Sequence, residues 1–144
     1  MTGLPADPTQ SIEASYPAVA EGVSQARRSV SLWLGALSAD VVLSADIALA
    51  VSEACTNVVH HAYRDGGSGA FRVRAELVDE AVCVTVSDDG TGLIPRSDSP
   101  GMGLGLPLMA RLTDALEIAA ADHGGTVVTM RFTTAGARGR SATR

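Results

Sequence analysis

The order of its hydrophobic periodicities constrains this chain most: two helix-spaced segments come first, then strict alternation. From Ala18 to about Leu37, the residues Val19, Val23, Ala26, Val30, Leu34 and Leu37 recur at steps of three and four, the spacing of one helix face. A second helix is expected from about Ala45 to Tyr63, with Ser44 as N-cap, Asp46 in the first turn and Gly66-Gly67 ending it. Phe71-Arg72-Val73-Arg74-Ala75-Glu76-Leu77 then alternates apolar and polar, as a half-buried strand does. The Val-rich run Ala81–Ser87 follows a turn at Asp79-Glu80 and reads as its more buried neighbour. Residues 88–105 are dominated by Gly, Asp, Pro and Ser. A third helix is expected over about Leu106 to Asp114, with Pro107 tolerated in its first turn. Leu116–Ala120 and Thr126–Thr133 read as two more strands, joined by Asp122-His123-Gly124-Gly125, and Ser11–Ser15 as an edge strand. The predicted fold is α+β: a two-layer α/β sandwich whose mixed, mostly antiparallel sheet of about five strands carries three helices on one face.

At 144 residues the chain fits one domain. Residues 11–134 form the expected folded unit, between flexible tails at 1–10 and 135–144. Aromatic residues are only 3%, so the core must come from Ala, Val, Leu and Ile. The net charge of −5 offers no basic face to nucleic acid. All 11 basic residues are Arg, which excludes a P-loop, whose lysine reaches the phosphates. Cys55 and Cys83 lie in apolar segments and read as buried small hydrophobes in a reducing compartment. The N-terminus lacks the basic start and apolar stretch of a signal peptide. No apolar run nears the roughly 20 residues of a membrane helix. A soluble cytoplasmic protein without membrane contact is therefore expected.

Three segments carry candidate chemistry. Glu53 and Asn57 are four apart on the second helix and share one face. They suit a cation held by the amide oxygen, with the carboxylate taking a proton; a polar pair bonded to a loop or solvent fits as well. Asp88-Asp89-Gly90-Thr91-Gly92 follows a buried strand. There an Asp can accept from an exocyclic amine while Gly lets the backbone come close; a plain Asp/Gly turn has the same pattern. Gly101-Met102-Gly103-Leu104-Gly105-Leu106 opens the third helix, where amides and the helix dipole make an anion site; a flexible loop is the alternative. It is not the dinucleotide fingerprint, because the third Gly falls one residue early and no strand precedes it. Together the three supply metal and base, adenine, and phosphate.

In that combination the chain resembles the GHKL ATPase superfamily. Glu53-x-x-x-Asn57 resembles its N box, Asp88-x-Gly90-x-Gly92 its first glycine box and Gly101-x-Gly103-x-Gly105-Leu106 its second. Gly125-Thr126 resembles the late Gly-Thr whose hydroxyl lies near the adenine. The run from Val51 to Tyr63 is most similar to the anti-sigma-factor serine kinases of bacteria. The resemblance covers residues 11–134 and implies ATP and Mg²⁺ as cofactors. Asn57 would ligate the metal, Glu53 would be the general base toward a protein serine, and Asp88 would fix the adenine amino group. Gly90, Gly92, Gly101, Gly103 and Gly105 would let loops close on the nucleotide, with Leu106 and Thr126 beside it. Arg27 would contact partners, namely a sigma factor and a STAS-type anti-sigma-factor antagonist, and homodimers are common in the family. His61 matches a His common in the box; both it and His60 are assigned structural roles, since no third ligand is near in sequence. The chain has no room for the phospho-accepting hairpin of a sensor histidine kinase.

One departure bears on activity. Only eight residues, Leu93 to Pro100, separate Gly92 from Gly101, where known members of the subfamily have a longer closing segment. Arg96, reaching toward the γ-phosphate, and Ser97 are the polar candidates there. A short segment implies weaker ATP retention, slower transfer, or a nucleotide-binding adaptor without kinase activity.

Overall fold

The computed structural model describes residues 10–62, 69–90, 105–122 and 124–134. In chain order the elements are β1 (Ser11–Pro17), α1 (Ala20–Ala36), α2 (Val41–His61), β2 (Ala70–Val78), β3 (Ala81–Asp88), α3 (Gly105–Leu112), β4 (Ala115–Ala120) and β5 (Thr126–Thr133). The strands form one sheet in the order β1-β2-β3-β5-β4, and every pairing is antiparallel. The sheet is thus antiparallel throughout its described strands, where a mixed one had been expected. β1 is an edge strand, as its position in sequence suggested, and runs two residues further than expected, to Pro17.

Alternation in β2 and β3 sorts the side chains. Phe71, Val73 and Ala75 with Val82, Val84 and Val86 turn toward the helices and are buried. Arg72 and Arg74 turn the other way, where Arg74 meets Glu76 at 3.0 Å and Arg72 meets Glu13 of β1 at 3.6 Å. These pairs are exposed and add little stability. Met130 and Phe132 of β5 complete the inner face, and Tyr16 leans on Phe71 with ring centroids 5.8 Å apart. Over this face lie α1, through Ala26, Val30, Trp33 and Leu34, and α2, through Leu43, Ile47, Val51, Cys55 and Val58. α2 packs between α1 and α3.

α2 begins a full turn before the expected start. Asp40, not Ser44, is its N-cap, and its carboxylate accepts the Leu43 N–H at 3.0 Å. Asp46 therefore lies beyond the first turn, which holds no acid. The earlier start also makes α2 a 21-residue helix that by length and composition could cross a membrane, contrary to the reading of the sequence. Its inner face is spent on the sheet. The hairpin at Asp79-Glu80 forms as expected, with Asp79 at φ 55°. The two thiols differ. Cys55 is fully buried and burial pushes its pKa up to about 12, whereas Cys83 is only half-buried because it alternates onto the outer face. Gly66-Gly67 and Tyr63 lie outside the described residues.

Candidate functional site

α2, α3 and the ends of β3 and β5 surround a cleft. One ridge of α2 supplies Ala54, Asn57, Val58, His61 and Ala62, spaced so that they share the helix side facing α3. Leu106 and Met109 of α3 and Ile118 of β4 form apolar walls, with Val128 of β5 beside them. Asp88 and Thr126 are the two buried polar residues of the described chain, and both lie in this cleft.

The fold converges on Asp88. Its carboxylate accepts the Gly90 N–H at 2.9 Å and a second bond from the Thr126 N–H. A carboxylate offers about four acceptor positions, so capacity remains for a donor arriving in the cleft. Burial raises the Asp88 pKa, the two backbone bonds pull it back, and neighbouring Asp89 adds to the rise. The surrounding main chain is too close for side chains. A Cβ on Gly125, which sits at φ +87°, would run into the Asp88 carbonyl. One on Gly90 would run into the carbonyl of Ala62 at the end of α2. Glycine at both places lets the β3 end wedge between α2 and the β4–β5 turn.

A buried acceptor between apolar walls suits a flat heteroaromatic ring whose amine meets Asp88 and whose faces meet aliphatic side chains. Asn57 stands further back along α2, where its amide oxygen can serve a hard cation held mainly by phosphate and water oxygens. Among the described residues no group of three or more His, Cys, Asp or Glu side chains is placed to hold a metal. A cation here would need ligand oxygens in addition to Asn57, which is how magnesium is usually held beside phosphates.

The structure unites Asn57, Asp88, Gly90, Leu106 and Thr126 at this cleft, with Gly105 opening α3. Glu53 is half-buried on α2, one turn before Asn57, and is not part of the cleft wall. Arg27 is exposed on α1, away from the cleft. Gly92, Arg96, Gly101 and Gly103 lie outside the described residues. Reading the sequence offered no account of the apolar walls, and it assigned His61 a structural role without placing it at the cleft that it lines. Its signal was available: His61 is four residues after Asn57 and so shares its helix face.

Comparison with known proteins shows the family and the fold. The family model of the histidine kinase-like ATPase domain matches residues 16–132. The anti-sigma F factor of Pasteuria penetrans is 30% identical over 131 residues, covering 83% of this chain and 87% of that protein. The anti-sigma F factor of Clostridium novyi is 28% identical over 119 residues, covering 75% and 83%. Among solved structures, the RsbU and RsbW domains of Rv1364c from Mycobacterium tuberculosis match with a TM-score of 0.70 and 28% identity. That match covers 88% of this chain, which spans 33% of the other.

Proposed function

We propose, for a chain that belongs to the histidine kinase-like ATPase domain family, an ATP-binding anti-sigma factor that phosphorylates a serine of a STAS-type antagonist. The observation that carries this reading is the cleft itself, where Asp88, Thr126 and Asn57 come together from three elements. Asp88 takes the adenine amino group, and Val58, Met109, Ile118 and Val128 take the ring faces. Asn57 would hold Mg²⁺ through its amide oxygen, and the ion would supply charge neutralisation at the phosphates. The remaining phosphate contacts fall to Gly92, Gly101, Gly103 and Gly105, with Arg96 toward the γ-phosphate.

Glu53 lies one turn before Asn57 and outside the cleft wall, a position for a group that arrives from a protein surface. Its carboxylate takes the proton of the serine hydroxyl. The serine oxygen forms a bond to the γ-phosphorus while the bond from that phosphorus to the bridging oxygen breaks, leaving ADP and phosphoserine. Arg27 belongs to the partner surface, which receives the sigma factor and the antagonist. The folded unit is residues 11–134, and the setting is the cytoplasm. The relatives named anti-sigma F factor, each covered over most of their length, support the anti-sigma part of the reading.

The short Leu93–Pro100 segment favours a second reading, a nucleotide-responsive adaptor that binds its partner without phosphoryl transfer. One assay separates the two. Wild type and Glu53→Ala are incubated with labelled ATP and an antagonist protein, and acid-stable phosphate is counted beside pull-down of the partner. The kinase reading expects transfer to fall about 100-fold or more in the variant, the usual worth of a general base, with partner binding intact. Equal transfer by both proteins removes Glu53 as the base. Wild-type protein that binds ATP and partner yet transfers nothing leaves the adaptor.

A further inference from the structure

We infer that the groove between the α1–α2 turn and the β2–β3 hairpin is a docking site for a basic segment of a partner protein. An aliphatic side chain of that segment enters the groove while its cationic neighbours meet an acidic rim. The site lies at the opposite end of the sheet from the cleft and does not rest on the nucleotide reading.

The groove is an open end of the layer between helices and sheet. Leu37 after α1, Leu43 of α2 and the cross-strand pair Leu77 and Val82 give it aliphatic walls. The β2–β3 pairing runs from Phe71 opposite Asp88 to Leu77 opposite Val82, which sets the groove about 20 Å from Asp88. Two exposed valines adjoin these walls in sequence: Val41, 82% exposed, follows Asp40, and Val78, 42% exposed, follows Leu77. An apolar side chain arriving here would remove aliphatic surface from water on both partners.

Charge selects the occupant. Asp40 lines the groove, and its carboxylate spends one acceptor position on the Leu43 N–H, which leaves others for a donor. Asp79 and Glu80, both exposed, form the hairpin between Leu77 and Val82. Thr134 of the groove wall fixes that hairpin: its N–H and hydroxyl donate to the Glu80 carbonyl at 3.0 and 3.2 Å. Neither turn, 37–41 or 78–81, contains a basic residue. A second copy would bring the same acids against them, whereas Arg or Lys beside an aliphatic anchor would pair with them. Backbone conformation marks the same place. Ser38 at φ 56° and Asp79 at φ 55° are the only non-glycine residues at positive φ among those described; Ser38 lines the groove and Asp79 tips its hairpin. Ser38 stands where glycine usually ends a helix, with the next N–H, of Ala39, reaching back to the Leu34 carbonyl at 3.0 Å. Residues held this way gather at binding sites.

The test uses short synthetic peptides as probes, followed by NMR on the full chain. They alternate arginine with leucine, arginine with glycine, and glutamate with leucine. Each is titrated at about 0.15 M salt, where exposed charges more than roughly 8 Å apart are screened. The proteins are wild type, the double variant Asp79→Lys, Glu80→Lys, and a control, Glu21→Lys, Glu117→Lys, with the same charge change at exposed positions on α1 and β4. The arginine–leucine peptide should shift the amides of Ser38, Leu77 and Val82. It should bind roughly tenfold or more tighter than the arginine–glycine peptide, the worth of one buried aliphatic side chain. The hairpin variant should bind it roughly threefold to tenfold more weakly, the size of two exposed ion pairs, and the control should bind as wild type does. The glutamate–leucine peptide should leave the groove amides unmoved. Shifts confined to other residues overturn the inference, as does equal binding of the arginine–leucine and arginine–glycine peptides. Equal weakening in both double variants overturns it too, since attraction would then be general. Without peptide, groove shifts that grow with protein concentration would assign the groove to a second copy. Groove shifts caused by Arg138→Glu with Arg140→Glu would assign it to the chain's own C-terminal residues. Either result overturns the partner.

Discussion

The Asp88 carboxylate accepts the N–H of Gly90 two residues later, at 2.9 Å, and so turns back over its own strand end while it faces the cleft. Burial raises its pKa by disfavouring the ionised form.

That has a stability consequence with a definite sign. A carboxyl whose native pKa is raised binds its proton more tightly when folded. Its contribution is fully present below the free value of 3.8 and is lost as pH rises through the raised native value. Asp88→Asn, which keeps an acceptor but never ionises, should melt above wild type at neutral pH. The gap should close as pH falls toward 3.8. Thermal melts of both proteins across this range check it; a variant that melts below wild type at neutral pH contradicts it.

Two glycines should respond in opposite ways to alanine. Gly125→Ala forces a Cβ onto the Asp88 carbonyl at a positive φ, and should cost about 2 kcal/mol or more in denaturant unfolding. Gly35 sits near the end of α1 with nothing near its missing Cβ. Gly35→Ala should add about 0.5–1 kcal/mol by helix propensity alone.

Capping offers a third check. Asp40→Ala removes the acceptor for the Leu43 N–H and should cost about 1 kcal/mol. Ser44→Ala, inside the helix, should be near neutral. The reverse ranking in urea unfolding would return the helix start to Ser44.

The thiols should differ in reactivity. With Cys55 buried and its pKa near 12, a thiol reagent at pH 8 should label Cys83 quickly in the native protein. Cys55 should be labelled only on unfolding, so mass spectrometry should find one adduct before denaturant and two after.

Local pattern made much of this fold legible. β5 spans the residues read as a strand from the sequence, Thr126–Thr133, and α3 and the β2–β3 hairpin fall within a residue or two of expectation. The start of α2 was hidden because Val41, Val42 and Leu43 follow a short turn and Ser44 offers a plausible cap, while Asp40 shows its role only through the bond it makes. In the site, Asp88, Asn57 and Thr126 could be read from motifs. The function of Gly125 could not, because its closeness to Asp88 arises from the pairing of β3 with β5. The place of His61 was hidden for a related reason: sequence spacing does not show that a cleft opens along that helix face.

The central claim is that this cleft binds adenine nucleotide through Asp88 and Asn57, and Mg-ATP calorimetry on three proteins tests it most directly. Wild type should bind one ATP. Asp88→Asn should bind roughly 10- to 150-fold more weakly, the worth of a hydrogen bond to a charged group. Asn57→Ala should bind with an affinity that no longer responds to magnesium. No heat of binding in wild type, or Asp88→Asn binding as tightly as wild type, would contradict the account.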